Sequence, residues 1–406
     1  MTSLEKRRRT VLIYNLYIIF SEQLFWGPIV ILSLQTLAHM PLDRIFMMEA
    51  IVMGVLVLCN VPAGTLADVI GNKRTLLIGR TLLLASALLF AVMTNETGAW
   101  VANIVWAVGY SFVSGTESSI LYQTLQAGGY AADFKKVRST AVSWRFFVVA
   151  FLSLTVGFLV QIDPRLPLWL SIPGMVASLV LVFCMSESSA TEHYSVRAQA
   201  TAFMQGVTFV RKTPFMLWLV GFASLIAAVS KVWFFMYNPY FALVAVPITH
   251  YGFIFFLLNV TAWFSSRYAP MVEKYIKEGV LVSMSIVCIA VPILLMAIFP
   301  VYVMAYLVLA QNVVRGFIRP FTEDLLHHHV TNEGNYTQWR TTILSVKETV
   351  MQFAATVALL VVALLLTIAT LPLVLGVTGC MCMVPGLLSV VQYYRLRKLN
   401  MYSEDK

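Results

Sequence analysis

The chain has 406 residues, 59% of them hydrophobic and only 12% charged, with a net charge of +9 and a mean hydropathy of +0.81. Soluble proteins carry about 25% charged residues, so too little polar surface remains to cover a water-soluble globule. A soluble enzyme, a disordered chain and a nucleic-acid module are excluded, and a polytopic membrane protein is the class that remains.

A spanning helix takes about 20 apolar residues, so the length fits twelve spans with short loops and no large extra domain. The basic N-terminus MTSLEKRRRT precedes an apolar run that reaches Leu37. That run exceeds the roughly 7–15 residues of a signal-peptide core, and it reads as a retained first helix. The expected spans are 11–37, 44–66, 73–94, 99–126, 138–161, 166–185, 214–244, 248–269, 279–299, 301–326, 338–367 and 371–394. Pro28, Pro173, Pro292 and Pro320 fall inside them. Membrane helices tolerate proline because neighbouring helices re-satisfy the freed backbone groups. The five cysteines all sit in apolar runs and read as buried small residues, not as a disulfide framework or metal site.

The charges orient these spans. With both termini inside, 20 of the 28 Lys and Arg fall in cytoplasmic segments, and only Arg44 and Arg165 fall outside. This asymmetry is the positive-inside pattern. It makes the net charge a mark of the inner membrane face, not of a nucleic-acid partner. Six bases are left within or at the edges of spans: Arg80, Arg145, Lys231, Arg315, Arg319 and Lys347.

The polar stretch 186–213 divides the chain into an N-terminal six-helix bundle (1–185) and a C-terminal one (214–406). It has room for a short amphipathic helix near Arg197–Arg211 lying on the inner leaflet. RSTAVSWR (138–145) opens the fifth span and RTTILSVK (340–347) opens the eleventh. The shared pattern at equivalent positions reads as an internal duplication. The fold class expected is therefore an all-α polytopic membrane protein of twelve transmembrane helices in two six-helix pseudo-repeats. Duplicated halves of this kind put a binding site near the midplane.

Between the second and third spans lies GTLADVIGNKRTLL (64–77). It resembles the loop signature of the major facilitator superfamily, G-x-L-A-D-x-x-G-x-K/R-x-x-L. Gly64, Leu66, Ala67, Asp68, Gly71, Lys73 and Leu77 match; Val69 and Asn72 stand where the family usually has bases. Gly64 is suited to close helix approach. Asp68 is placed to meet a helix N-terminus or an Arg. Gly64, Asp68, Gly71 and Lys73 are the candidate conformational-switch residues. The stretches 115–129 and 315–326 are similar to a bacterial subgroup of drug and small-solute exporters. The resemblance implies that spans 1, 4, 7 and 10 line a central cavity.

A charge at mid-membrane costs at least about 2.5–3.5 kcal/mol and should face the bundle interior or water. Span 1 carries Asn15, Glu22 and Trp26 at spacings that share one helical face. Span 4 carries Asn103, Trp106, Tyr110, Ser114 and Glu117 in one stripe. Span 7 carries Lys231 with Asn238, and span 10 carries Asn312, Arg315, Arg319 and Thr322. The first half thus offers acids and the second offers bases. Glu22 and Glu117 are the proton-coupling candidates, because a shielded carboxylate titrates upward. Asn15, Trp26, Trp106, Tyr110, Lys231, Asn238, Asn312 and Arg315 are the substrate-cavity candidates. Other readings stand beside these. Glu117 and Arg315 could be a fixed structural pair. Arg145 and Lys347 could brace helix ends or pair with Glu117 and Glu348. Glu49 could snorkel or make a gating contact. The aromatic run 233–241 fits an interfacial belt or an outer gate. His327, His328 and His329 point in different directions on a helix, which suits a solvated turn. Asn95–Thr97 fits a glycosylation acceptor.

No phosphate-binding loop, H-E-x-x-H or nucleophile elbow occurs, so no enzyme and no cofactor is expected. The functional expectation is a secondary transporter moving a small organic solute by alternating access, as proton-coupled efflux. Proton-coupled uptake of an anionic or zwitterionic metabolite is the alternative, and a non-transporting membrane sensor is a third. The expected partners are the solute, protons or sodium, and the lipid bilayer of the cell inner membrane. Both termini are expected in the cytoplasm and the chain to act as a monomer.

Overall fold

The computed structural model describes residues 3–22, 24–185, 196–332 and 340–404. The side chains of Asp68 and of His327, His328 and His329 lie outside the described residues, as does 186–195 of the expected linker.

The described residues form helices with no strand among them. In chain order these are α1 (Ser3–Phe20), α2 (Val30–Leu37), α3 (Leu42–Ile70), α4 (Asn72–Val92), α5 (Glu96–Val113), α6 (Thr116–Ala127), α7 (Phe134–Ile162) and α8 (Leu166–Cys184). Then come α9 (Val196–Lys212), α10 (Pro214–Leu243), α11 (Ile248–Tyr275), α12 (Glu278–Ile298), α13 (Val308–Asn332), α14 (Arg340–Ile368) and α15 (Leu371–Glu404). Helix α9 falls in the expected linker. Among the described residues, nine helices are long and apolar enough to cross a membrane by themselves.

The three remaining spans are the first, fourth and tenth, and each is interrupted. Span 1 is α1 and α2 with a break that ends in a 3-10 turn at Gly27–Ile29, where Pro28 sits near the start of the turn. Span 4 is α5 and α6, parted at Gly115. That residue has φ of +97°, a left-handed conformation that glycine adopts without a Cβ penalty. Span 10 opens with a 3-10 segment, Tyr302–Leu307, before α13. The break in span 1 corrects one expectation. The helix ends at Phe20, so the spacing of Asn15, Glu22 and Trp26 does not place them on one helical face.

The chain packs as two compact units. Unit one is Met1–Pro41, Ile51–Tyr194 and Pro247–Val260; unit two is Leu42–Ala50, Ser195–Val246 and Thr261–Lys406. The expected division at 186–213 differs from these in two segments. The first turns of α3 belong with unit two, and the first half of α11 belongs with unit one.

The core of unit one joins Tyr14, Tyr17 and Ile18 of α1 to Leu76, Leu83 and Ala87 of α4, Ile120 and Leu121 of α6, and Met175 and Val182 of α8. Helices α4 and α5 touch backbone to backbone. A Cβ on Gly79 would sit 2.9 Å from the Gly109 carbonyl oxygen, and one on Gly109 would sit 3.1 Å from the Gly79 carbonyl oxygen. Small residues permit such close approach in membrane helices. In unit two, α10 packs on α14 and α15, and α12 on α15. Trp218 of α10 donates to the Ser389 carbonyl at 2.8 Å and lies against the Tyr393 ring.

Candidate functional site

The site in unit one starts from Arg80, one residue after the glycine contact of α4. Its side chain is 5% exposed. Four groups meet its guanidinium. Nε donates to the Tyr17 hydroxyl at 2.8 Å, Nη1 to the Ser21 carbonyl at 2.7 Å, and Nη2 to Glu117 Oε2 at 3.3 Å. The guanidinium carbon lies 4.7 Å from the Tyr17 ring centroid. The Tyr17 hydroxyl in turn donates to Glu117 Oε2 at 3.2 Å. Two neutral or backbone partners and one carboxylate thus satisfy a buried cation that would be costly alone.

Both helix interruptions serve this network. Helix α1 stops at Phe20, which leaves its last carbonyls without intrahelical donors. Arg80 supplies one at Ser21, and a cation is favourable at a helix C-terminus. Gly115 ends α5 and begins α6, which puts Glu117 in the first turn of a new helix. A carboxylate there is favoured by the positive end of the helix dipole. The Arg80–Glu117 pair is therefore held by the ends of two helix fragments.

Glu22 lies in the first break and accepts from Arg145 Nη1 at 2.8 Å. This pair is more open: the side chains are 24% exposed at Arg145 and 49% at Glu22. Trp106 and Tyr110 of α5 stack at 5.1 Å, and Tyr110 lies within electrostatic reach of Glu22, Glu117, Arg145 and Arg80. Four candidates of the first half, Glu22, Trp106, Tyr110 and Glu117, thus lie near one another, with pairings other than those expected. Glu117 is met by Arg80, where the expectation paired it with Arg315 or Arg145, and Arg145 is met by Glu22. Trp26 is only 9% exposed and packs on Phe90 at 4.4 Å, as a core residue does. Asn15 is half-buried in α1, and its Oδ1 has no hydrogen-bond partner among the described residues.

Sequence reasoning missed Arg80 and Tyr17. Arg80 carried a signal, since a base in an apolar helix marks a functional position by default. Tyr17 carried none, because tyrosine is an ordinary membrane-helix residue.

In unit two, Lys231 Nζ lies 4.9 Å from the Phe235 ring centroid. Arg315 lies 5.4 Å from the Phe234 ring centroid. Asn238 and Asn312 are both buried. Lys347 is fully buried and donates to Thr322 Oγ1 at 3.3 Å. Arg319 reaches Glu323 at 3.2 Å and Glu348 at 3.5 Å.

The signature loop is a set of helix caps. Gly71, at φ of +92°, ends α3, and its N–H donates to the Ala67 carbonyl at 3.0 Å. Lys73 Nζ donates to the carbonyls of Phe183 at 2.9 Å and Met185 at 2.6 Å, so it caps α8. Gly64 does not mark a close approach, because a Cβ there meets nothing within 4 Å. Asp68 lies outside the described side chains. At the other ends of these helices, Arg165 caps α4 through the Ala91 and Met93 carbonyls, and the Asn95 side chain caps α5. Among the described residues no group of His, Cys, Asp and Glu could hold a metal ion.

No protein-family model matches the sequence, and no curated protein matches it either. Solved structures do match the fold. The nucleoside transporter NupG is similar at a TM-score of 0.75 and 14% identity, over 97% of this chain and 99% of that one. A D-xylose-proton symporter is similar at 0.72 and 12% identity, over 94% and 97%. A mutant of the peptide transporter POT is similar at 0.67 and 13% identity, over 96% and 94%. Nothing in this likeness supports the exporter subgroup. At these identities it carries the fold, end to end. The chain therefore shares the all-α membrane fold of these transporters.

Proposed function

We propose that this integral membrane protein is a proton-coupled secondary transporter of a small organic solute, working by alternating access, and not an enzyme. The observation that carries this reading is the Arg80–Tyr17–Glu117 network at two helix interruptions. Ionised Glu117 accepts from both Arg80 and Tyr17. Protonated Glu117 leaves Arg80 without its counter-charge inside the protein. The protonation state of one carboxylate is thereby tied to the arrangement of α1, α4 and α6. A ligand shifts a conformational equilibrium only through such differential interaction. Glu22, paired with Arg145, is the second proton-coupling candidate.

Uptake is the direction that the neighbours favour. One of them is named a proton symporter, and the others are named for nucleosides and peptides. Efflux driven by proton entry is the second reading, and the stretches 115–129 and 315–326 are its support.

The test is proton movement in proteoliposomes holding the full chain, with a panel of neutral, anionic, zwitterionic and cationic solutes. Solute-dependent dissipation of a pH gradient, lost in Glu117→Gln, is the expected result. Solute movement driven by sodium and indifferent to pH would overturn the coupling assignment. Failure of every solute to move in either gradient would favour the sensor.

A further inference from the structure

We infer that Arg315 is the binding group for a carboxylate on the transported solute, so that the substrate class is a small organic monoanion or zwitterion. The inference rests on the transporter reading, and it comes from the charges that fall within the expected spans.

In unit one these charges cancel. Arg80 meets Glu117, and Arg145 meets Glu22. In unit two the bases Arg319 and Lys347 are answered by Glu323 and Glu348. Arg319 contacts both acids, and Lys347 lies in the field of both. Lys231 is answered by Glu49. Phe46 of α3 packs edge-on against Phe235 of α10 at 6.1 Å. One turn forward from Phe46 is Glu49, and one turn back from Phe235 is Lys231, so an antiparallel register brings them together. Glu49 is 6% exposed, and it is the acid acting on Lys231.

Arg315 is left. Its guanidinium rests on the Phe234 ring. Among the described residues it makes no ion pair and no hydrogen bond, and its residue is exposed. Lys231, of like sign, lies within electrostatic reach of it. An uncompensated cation eight residues into a membrane helix is costly. Contact with an aromatic face repays roughly 0.5–2 kcal/mol of this. It also holds the planar fork in one orientation, and that fork matches a carboxylate bidentately. A single guanidinium with no acid against it calls for one negative charge, which a carboxylate supplies and a phosphate dianion exceeds. A lipid phosphate is the wrong depth, since a 3-10 segment and two turns of α13 separate Arg315 from the helix end.

The test uses matched solutes on the full chain: nicotinate and nicotinamide, gluconate and sorbitol, lactate and 1,2-propanediol. Binding is read as thermal stabilisation in detergent. Transport is read in phosphatidylcholine proteoliposomes, where no anionic headgroup competes. The expected result is that at least one carboxylate binds and moves, with its neutral partner roughly tenfold or more weaker, the scale of a charge-assisted hydrogen-bond pair. Arg315→Gln should erase that preference. Arg315→Lys keeps the charge without the fork and should keep the preference at reduced affinity, which guards against a Gln variant that fails to fold. Three results would overturn the inference: neutral solutes moving while carboxylates do not, carboxylate binding unchanged in Arg315→Gln, or no carboxylate of the panel binding at all. The first leaves the transporter reading standing. Carboxylate binding that needs Arg315 but never leads to transport would uphold the binding group and sink the transporter reading.

Discussion

Arg80 and Glu117 stand 3.3 Å apart in unit one, with the Tyr17 hydroxyl bonded to both. Removing one member of a buried pair leaves the other uncompensated, at a cost of about 3–5 kcal/mol. Glu117 is 24% exposed, so Arg80→Ala should fall near the lower end, about 3 kcal/mol, in thermal or denaturant unfolding. Glu117→Gln keeps an oxygen acceptor for Arg80 and Tyr17 but leaves the more buried Arg80 cation without its counter-charge, so it should cost at least as much, about 3–5 kcal/mol. The double variant Arg80→Ala/Glu117→Gln should lose less than the sum of the two. Full additivity would mean that the pair is not coupled.

The Glu22–Arg145 pair is a different case. With Glu22 half-exposed, its contribution to stability should be about 0–1 kcal/mol. Glu22→Gln should therefore unfold like the wild type. Its effect, if it carries protons, appears only in transport. Glu22→Gln and Glu117→Gln should not both retain pH-driven transport, and two fully active variants would remove the proton-coupling role from both.

Two glycines of one motif make opposite predictions. Gly71 sits at φ of +92° and ψ of +152°, a region essentially reserved for glycine, where a Cβ adds about 1–3 kcal/mol of strain. Gly71→Ala should lower stability by that amount. At Gly64 a Cβ meets nothing within 4 Å, so Gly64→Ala should be neutral or stabilising by up to about 1 kcal/mol through helix propensity. A Gly64→Ala protein that is stable but does not transport would place the close approach of Gly64 in another conformational state.

Glu273 near the end of α11 lies outside the spans. Burial, and then the nearby Asp324 charge, raise its pKa above the ordinary 4.5. One carboxylate oxygen has no hydrogen-bond partner among the described residues. A carboxyl whose folded pKa is raised adds stability below its unfolded pKa, and that stability fades as pH rises through the folded value. Glu273→Gln should therefore unfold at a higher temperature than wild type at pH 7, and the gap should close toward pH 4. A gap that persists unchanged at pH 4 would show that packing, not ionisation, is responsible.

Composition and run length, which are local quantities, were enough for the class, the expected number of spans and the inventory of charges within them. The sequence also located Glu22, Glu117, Lys231 and Arg315 inside spans. It could not assign their partners. Helical periodicity extends a face only while the helix continues, and α1 ends at Phe20 while α5 ends before Gly115. Past each break the register is set anew by neighbouring helices. Only the tertiary structure therefore decided that Arg80, on a third helix, answers Glu117, that Arg145 answers Glu22, and that the first turns of α3 bring Glu49 to Lys231. Each pairing joins positions far apart in the chain, and packing alone brings such positions together. Arg315 became informative for the same reason: that no acid meets it among the described residues is visible only once the helices are packed.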